Sequence, residues 1–230
     1  MKIIKLLLLI SIINFSNCLN YGEQKSSNNK TKVIQQSDQF IPVIGDCINL
    51  NDIKGVLSLN DNYSKPNDTI FLKNNDGSIW HKFSFYYDDS DGKYDFENEK
   101  FKPYSFNPDY FNLSLFVVNK NENSYSVIAN HETGLIKEID NDNKALKFQT
   151  LEEYFIKNIY SINFDNKNNP IRKSYNSGEI ISLSENKEFY PVEIKVHWMK
   201  IKWKSDQGWQ EGWIEWRDDK CLLIDVFYYA

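Results

Sequence analysis

The sequence predicts a mainly β protein, built as two small β-barrel units in tandem with one short helix between them. Three observations carry that expectation. The segment from Val196 to Ala230 holds five of the six tryptophans and alternates with period two. Trp198, Lys200 and Lys202 fall on one parity, and Met199, Ile201 and Trp203 on the other, the pattern of a half-buried strand. Turn signals such as Asp76-Gly77 and Asp206-Gln207-Gly208 separate short runs rich in aromatic and β-branched residues. Only Thr150 to Lys157 carries a helical signature, with Thr150 and Glu153 spaced as a capping box and Leu151, Tyr154 and Phe155 on one face.

In chain order, residues 1–18 form a signal segment. Lys2 and Lys5 precede an apolar run, Leu6 to Ile13, that is too short to span a bilayer. Cys18 has two readings: the acylated first residue of a mature lipoprotein, or the last residue of an ordinary signal peptide. Cleavage there removes two lysines and no acid, which leaves the mature chain more acidic than the net charge of −5 carried by the whole. Residues 19–39 are rich in Asn, Ser, Lys and Gln and cannot bury enough surface to offset their ordering entropy, so they read as a polar, disordered linker.

Residues 40–149 read as an N-terminal β domain. Its first twenty residues are weakly patterned and offer at most a short edge strand. Thr69 to Lys73 and Ile79 to Tyr87 form a hairpin around Asp76-Gly77, and Phe111 to Val118, Tyr125 to Asn130 and Leu135 to Ile139 are further strands. The helix occupies 150–158. The second unit, 159–230, takes Ile159 to Phe164, Glu179 to Leu183 and Phe189 to Ile194 as strands before the tryptophan-rich meander. The halves also share a pattern of strand, Gly turn, strand, Asp-x-Lys turn, strand. Gly134 in E-T-G-L-I-K-E-I lies over Gly212 in Q-E-G-W-I-E-W, and Asp142 to Phe148 over Asp218 to Ile224.

The residues P-I-R-K at Pro170 to Lys173, Y-P-V-E-I at Tyr190, W-M-K-I-K-W at Trp198 and E-G-W-I-E-W at Glu211 resemble a bacterial Src-homology-3-type (SH3-like) domain. The opening Asn169 to Arg172 departs from the start such domains usually show. The likeness covers about 159–230, and the whole chain resembles the exported, lipoprotein-type proteins of Bacteroidetes that carry such units. Period-2 alternation sends Trp213, Ile201 and Met199 inside. Trp198, Trp203, Trp209 and Trp216 cannot all be buried in so small a unit, so some are expected to line a groove with Tyr190. In such modules a groove of this kind binds extended peptides or cell-wall stems.

Other chemistry finds little footing. The negative charge and the lack of a basic stripe argue against a nucleic-acid binder. The acidic loop Asp88 to Glu99 misses the EF-hand pattern, which would need an acid at Tyr87 and a Glu at Asn98. His131-Glu132 lacks the second His of a zinc helix, and His81, His131 and His197 are isolated. No nucleophile elbow, phosphate loop or dinucleotide fingerprint occurs. Neither a metal nor a cofactor is expected. Cys47 and Cys221 allow a disulfide joining the two ends of the folded region, or two buried thiols.

The expectation is a non-enzymatic exported protein of the cell envelope that docks a peptide or peptidoglycan. It would lie in the periplasm or on the outer membrane through a lipid anchor, or be secreted. The alternatives are a structural or inhibitor-like protein whose units pack together without a ligand, and an exported hydrolase.

Overall fold

The structure, a computed structural model, describes residues 38–44, 47–63, 69–84, 87–88, 93–94, 98–183 and 187–229. The signal segment with Cys18, the linker up to residue 37 and most of the acidic loop lie outside the described residues. Asp38 and Gln39, the end of the expected linker, are described, and Gln39 already belongs to a strand.

Strands come first. They are β1 (Gln39–Phe40), β2 (Val43–Ile44), β3 (Cys47–Ile48), β4 (Gly55–Leu59), β5 (Ile70–Lys73), β6 (Ile79–Phe83), β7 (Tyr87–Asp88), β8 (Lys93–Tyr94), β9 (Ser105–Asn107), β10 (Asn112–Lys120), β11 (Ser124–Asn130), β12 (Leu135–Asp140) and β13 (Leu146–Gln149). The helix α1 (Leu151–Lys157) follows, then β14 (Ser161–Phe164), β15 (Tyr190–Lys195), β16 (Trp198–Ser205), β17 (Gly208–Glu215) and β18 (Ile224–Phe227). The mainly-β class is thus borne out.

The expected barrels are not seen, because among the described residues no sheet closes on itself. Nine strands form one antiparallel sheet, β13-β4-β10-β11-β12-β5-β6 in order, with β1 joined to β12 and β9 to β10. The C-terminal strands form a two-stranded pair, β14-β18, and a three-stranded meander, β15-β16-β17. Single links tie them: Ile162 N–H donates to the Phe189 carbonyl at 2.9 Å, and Leu223 N–H to the Trp216 carbonyl at 2.9 Å.

Sequence patterning missed β9 and, in a stretch expected to offer at most a short edge strand, missed β4. It sits between β10 and β13, with Val56 in one core cluster and Leu57 in another. A strand buried on both faces shows no alternation, so Gly-Val-Leu-Ser-Leu carries no period-2 signal. The repeat of glycines also parts here. Gly134 lies in the turn between β11 and β12, whereas Gly212 lies inside β17 opposite Ile201.

The first core cluster draws from the whole folded chain. Ile41, Val56 and Phe116 from the large sheet meet Phe155 of α1 and Ile201 and Trp216 of the C-terminal region. Helix α1 is placed by its predicted cap: Thr150 Oγ1 accepts the Glu153 N–H at 3.1 Å, and Glu153 Oε2 accepts the Thr150 N–H at 3.2 Å. Leu151, Tyr154 and Phe155 are buried as their shared face requires. Gln36–Ala230 forms one compact unit.

Candidate functional site: the outer face of the meander

Register decides which rings meet. In β16, Lys202 lies between Tyr190 of β15 and Glu211 of β17, and Trp198 between Lys195 and Glu215. Directly opposed residues project to one side of a sheet. Tyr190, Trp198, Lys202 and Trp209 therefore share the outer face, and Met199, Ile201, Trp203 and Ile214 share the inner one. Met199, Ile201 and Ile214 are wholly buried, as the alternation predicts.

The five expected ligand-contacting rings divide between these faces. Trp203 points inward and is buried against Phe189, with ring centroids 5.9 Å apart. Trp216, just past β17, is completely buried beside Phe155. Its indole Nε1–H donates to the Val196 carbonyl at 2.9 Å, and its own N–H to the His197 carbonyl at 3.0 Å. Those two bonds hold the β15–β16 turn, in which Val196 adopts a left-handed φ of 54° with its side chain 78% exposed. Trp216 is therefore enclosed in this corner, and Trp203 keeps only a small exposed edge.

Tyr190, Trp198 and Trp209 remain outside. Trp209 is 57% exposed, packed edge-on against Tyr190 at 5.8 Å, with Lys202 Nζ 5.1 Å from its ring centre. Tyr160, ahead of β14, extends the row with its ring 5.7 Å from that of Tyr190. The Tyr190 hydroxyl donates to the Glu188 carboxylate, which holds the phenol well above its ordinary pKa. Trp198 is half-buried, with the Arg172 guanidinium 5.6 Å from its ring.

Trp213 is buried as expected, but from the outer face, opposite Lys200. Tyr175 covers it at 5.3 Å, and Lys195 Nζ lies 5.1 Å from its ring. The chain at Arg172 exchanges two backbone hydrogen bonds with it, both 2.8 Å. Beyond the turn of β16, a hollow of about 330 Å³ opens beside Leu183, Lys187, Trp203 and Gln210.

Sequence reasoning missed Tyr160, Arg172, Tyr175 and Lys202 as members of this face. Lys202 had a signal, since its parity with Trp198 puts both on one side. The others arrive from loops, where no periodicity operates.

Cys47 and Cys221 are joined as a disulfide with Cα atoms 5.8 Å apart, across 174 residues. The segments around it are paired as well. Leu50 N–H donates to the Lys220 carbonyl at 2.8 Å, and Arg217 Nη2 to Asn51 Oδ1 at 2.7 Å. Asp218 caps the same loop by accepting the Cys221 and Lys220 N–H groups, which lowers its pKa.

The histidines stay apart. His131 Nδ1 lies 2.8 Å from the Lys102 carbonyl, so that nitrogen carries the proton. His81 stacks on Phe83 at 5.2 Å, and His197 sits in the β15–β16 turn. Among the described residues no three His, Cys, Asp or Glu side chains are grouped to hold a metal. Comparison with protein families, characterised proteins and solved structures finds no match.

Proposed function

We propose that this is a non-enzymatic, exported protein of the cell envelope that docks a peptide or peptidoglycan stem on the outer face of its C-terminal meander. The observation that carries the reading is Trp209, more than half exposed, with Tyr190 and Lys202 at its sides. A rigid exposed ring beside a cation supplies contact area at low entropic cost and attracts the carboxylates of a stem or an acidic peptide. Glu211, opposite Lys202, is paired with Lys200, which leaves the Lys202 ammonium beside the Trp209 ring.

An SH3-type unit is supported by connectivity. Strand β14 pairs with the last strand β18 and touches the start of β15, and β15 to β17 run as a meander. Export and the anchor at Cys18 rest on the charged and apolar start of the chain. The second reading, an interaction protein without a small ligand, is favoured by the burial of Trp203, Trp213 and Trp216 in packing.

The test is co-sedimentation with purified cell-wall sacculi at low and high salt. The protein should pellet in both, and the Trp198→Ala, Trp209→Ala double variant should stay in solution with an unchanged circular dichroism spectrum. A wild-type protein that never pellets removes the cell-wall ligand and favours a protein partner. A double variant that pellets like wild type removes this face.

A further inference from the structure

A second feature, on the large sheet, is independent of the meander. Strand β11 covers one edge of β12 along its whole length, so β5 and β1 share the other. Strand β5 pairs at Glu138, and β1 takes over at Ile136 and Leu135, opposite Gln39 and Phe40. Lys137 lies at the junction. Its side chain is 3% exposed, with Nζ 2.5 Å from Asp38 Oδ1, 2.9 Å from Asn74 Oδ1 and 5.2 Å from the Trp80 ring centre. A buried ammonium is costly unless a carboxylate lies beside it, and this carboxylate comes from the arm, residues 38–41, that leads into the fold.

The rest of the arm is fitted as closely. Ile41 N–H donates to the Gly134 carbonyl at 2.9 Å, and the Ile41 side chain is buried in the first core cluster. Gly134 has φ 75°, and a Cβ there would run into the Ile41 carbonyl oxygen. The slot on β12 is thus shaped for an extended segment with a carboxylate at one end and a branched apolar side chain three residues on. The arm itself stays peripheral. Gln39 and Phe40 are exposed, and Pro42, which follows at once, is exposed too. A proline donates no N–H and keeps the residue before it extended, so the arm leaves the body as a straight segment at a proline hinge.

We propose that the slot on β12 also accepts the arm of a second copy of this chain, so that two molecules pair by exchanging residues 38–41. An arm that merely left would strand the Lys137 ammonium in the interior and empty the place of Ile41. The vacated slot has to be refilled, and the same arm on another copy meets each of its demands. Arm and slot make the same contacts within one chain as between two, which makes such an exchange a low-cost route to a dimer. Concentration sets the balance. A chain's own arm acts at an effective concentration of about millimolar, so exchange takes over near that level, or wherever pairing within one chain is spoiled.

The test spoils that pairing in the full chain, with its disulfide intact. Asp38→Ala leaves Lys137 unpaired, and Lys137→Met removes the need for Asp38. Each variant is refolded from urea alone, and the two are refolded together, at about 0.1 mM, below the effective concentration of a tethered arm. Mixed in equal amounts, they can restore the Asp38–Lys137 pair only by exchanging arms. Light scattering should then show a heterodimer, with a dimer fraction roughly tenfold above that of either variant alone, and a Tm above that of Asp38→Ala. This holds even where Asp38→Ala alone fails to fold. The wild type should show a dimer fraction that rises as it is refolded at concentrations approaching millimolar. The proposal is overturned if the mixture gives no heterodimer, or if either variant alone dimerises as readily as the mixture. It is equally overturned if the wild type refolded at millimolar concentration is wholly monomeric, the result expected of a strap fixed to its own chain.

Discussion

At the scale of the residue, two tryptophans seven positions apart do opposite work. Trp216 is enclosed on every side and donates its indole proton to a turn whose central residue is strained. Trp216→Phe keeps most of the apolar burial but leaves the Val196 carbonyl without its donor, a change costing about 1–3 kcal/mol. Trp216→Ala adds a cavity and should cost about 3–5 kcal/mol. Trp209→Ala, on the exposed face, should alter stability by no more than about 0.5 kcal/mol. Urea unfolding of the three variants checks the contrast. A Trp209→Ala as damaging as Trp216→Ala would mean that the exposed ring is structural. Nothing in the composition separates these two residues; both lie in one tryptophan-rich run.

At the scale of the element, β17 depends on a glycine that the turn logic of the sequence does not explain. Gly212 has no left-handed φ and sits in mid-strand, yet a Cβ there would lie 2.3 Å from Ile171 Cγ2 and 3.2 Å from the Arg172 carbonyl oxygen. The missing side chain lets the Arg172 segment pack against β17 and cover Trp213. Gly212→Ala should therefore destabilise by about 1–3 kcal/mol through overpacking. It should also speed hydrogen exchange at the Arg172 and Trp213 amides, which bond each other's carbonyls. Unchanged exchange would mean that the segment adjusts freely.

Other elements were legible without coordinates. The cap of α1, the Asp76-Gly77 hairpin and the β16–β17 turn all rest on local chemistry, and local chemistry is written in neighbouring residues. Strand β4 was not legible, because burial on both faces erases the alternation that marks a strand. Glu179 to Leu183, expected as a strand, makes one bridge among the described residues, between Ile180 and Arg172.

At the scale of the whole molecule, three tyrosines from distant parts of the chain share one site, Tyr154 buried and Tyr104 and Tyr228 half-buried against it. The Tyr154 hydroxyl of α1 lies 2.5 Å from Ser114 Oγ of β10 and 3.0 Å from the Tyr228 hydroxyl after β18. Tyr104 stacks on Phe116 beside them at 4.1 Å. Burial raises all three phenols, Tyr104 and Tyr154 well above the usual 10.0. A phenol whose pKa is raised on folding contributes stability that is fully present below the unfolded value and is lost as pH climbs through the folded one. Alkaline titration should thus show these three ionising only as the fold is lost, so that their phenolate absorbance rises together with the loss of circular dichroism. Tyr154→Phe leaves its two partners short of a hydrogen bond and should lower stability by about 1–3 kcal/mol below pH 10. Reversible ionisation of Tyr154 before unfolding would contradict its burial in this cluster.

By itself the sequence determined the β-rich class, the single capped helix, most strand positions and the parity of the aromatic meander. These depend on periodicities of two and of about four residues and on turn dipeptides, all of which act between near neighbours. Only the tertiary structure decided that the sheets stay open, that β4 runs inside the largest one between β13 and β10, and which rings reach water. Trp203 and Trp209 differ in fate because Phe189 arrives over one and only Tyr190 and Lys202 border the other. Such arrivals come from residues far away in the chain, and their effect on burial is a property of packing that no local pattern encodes.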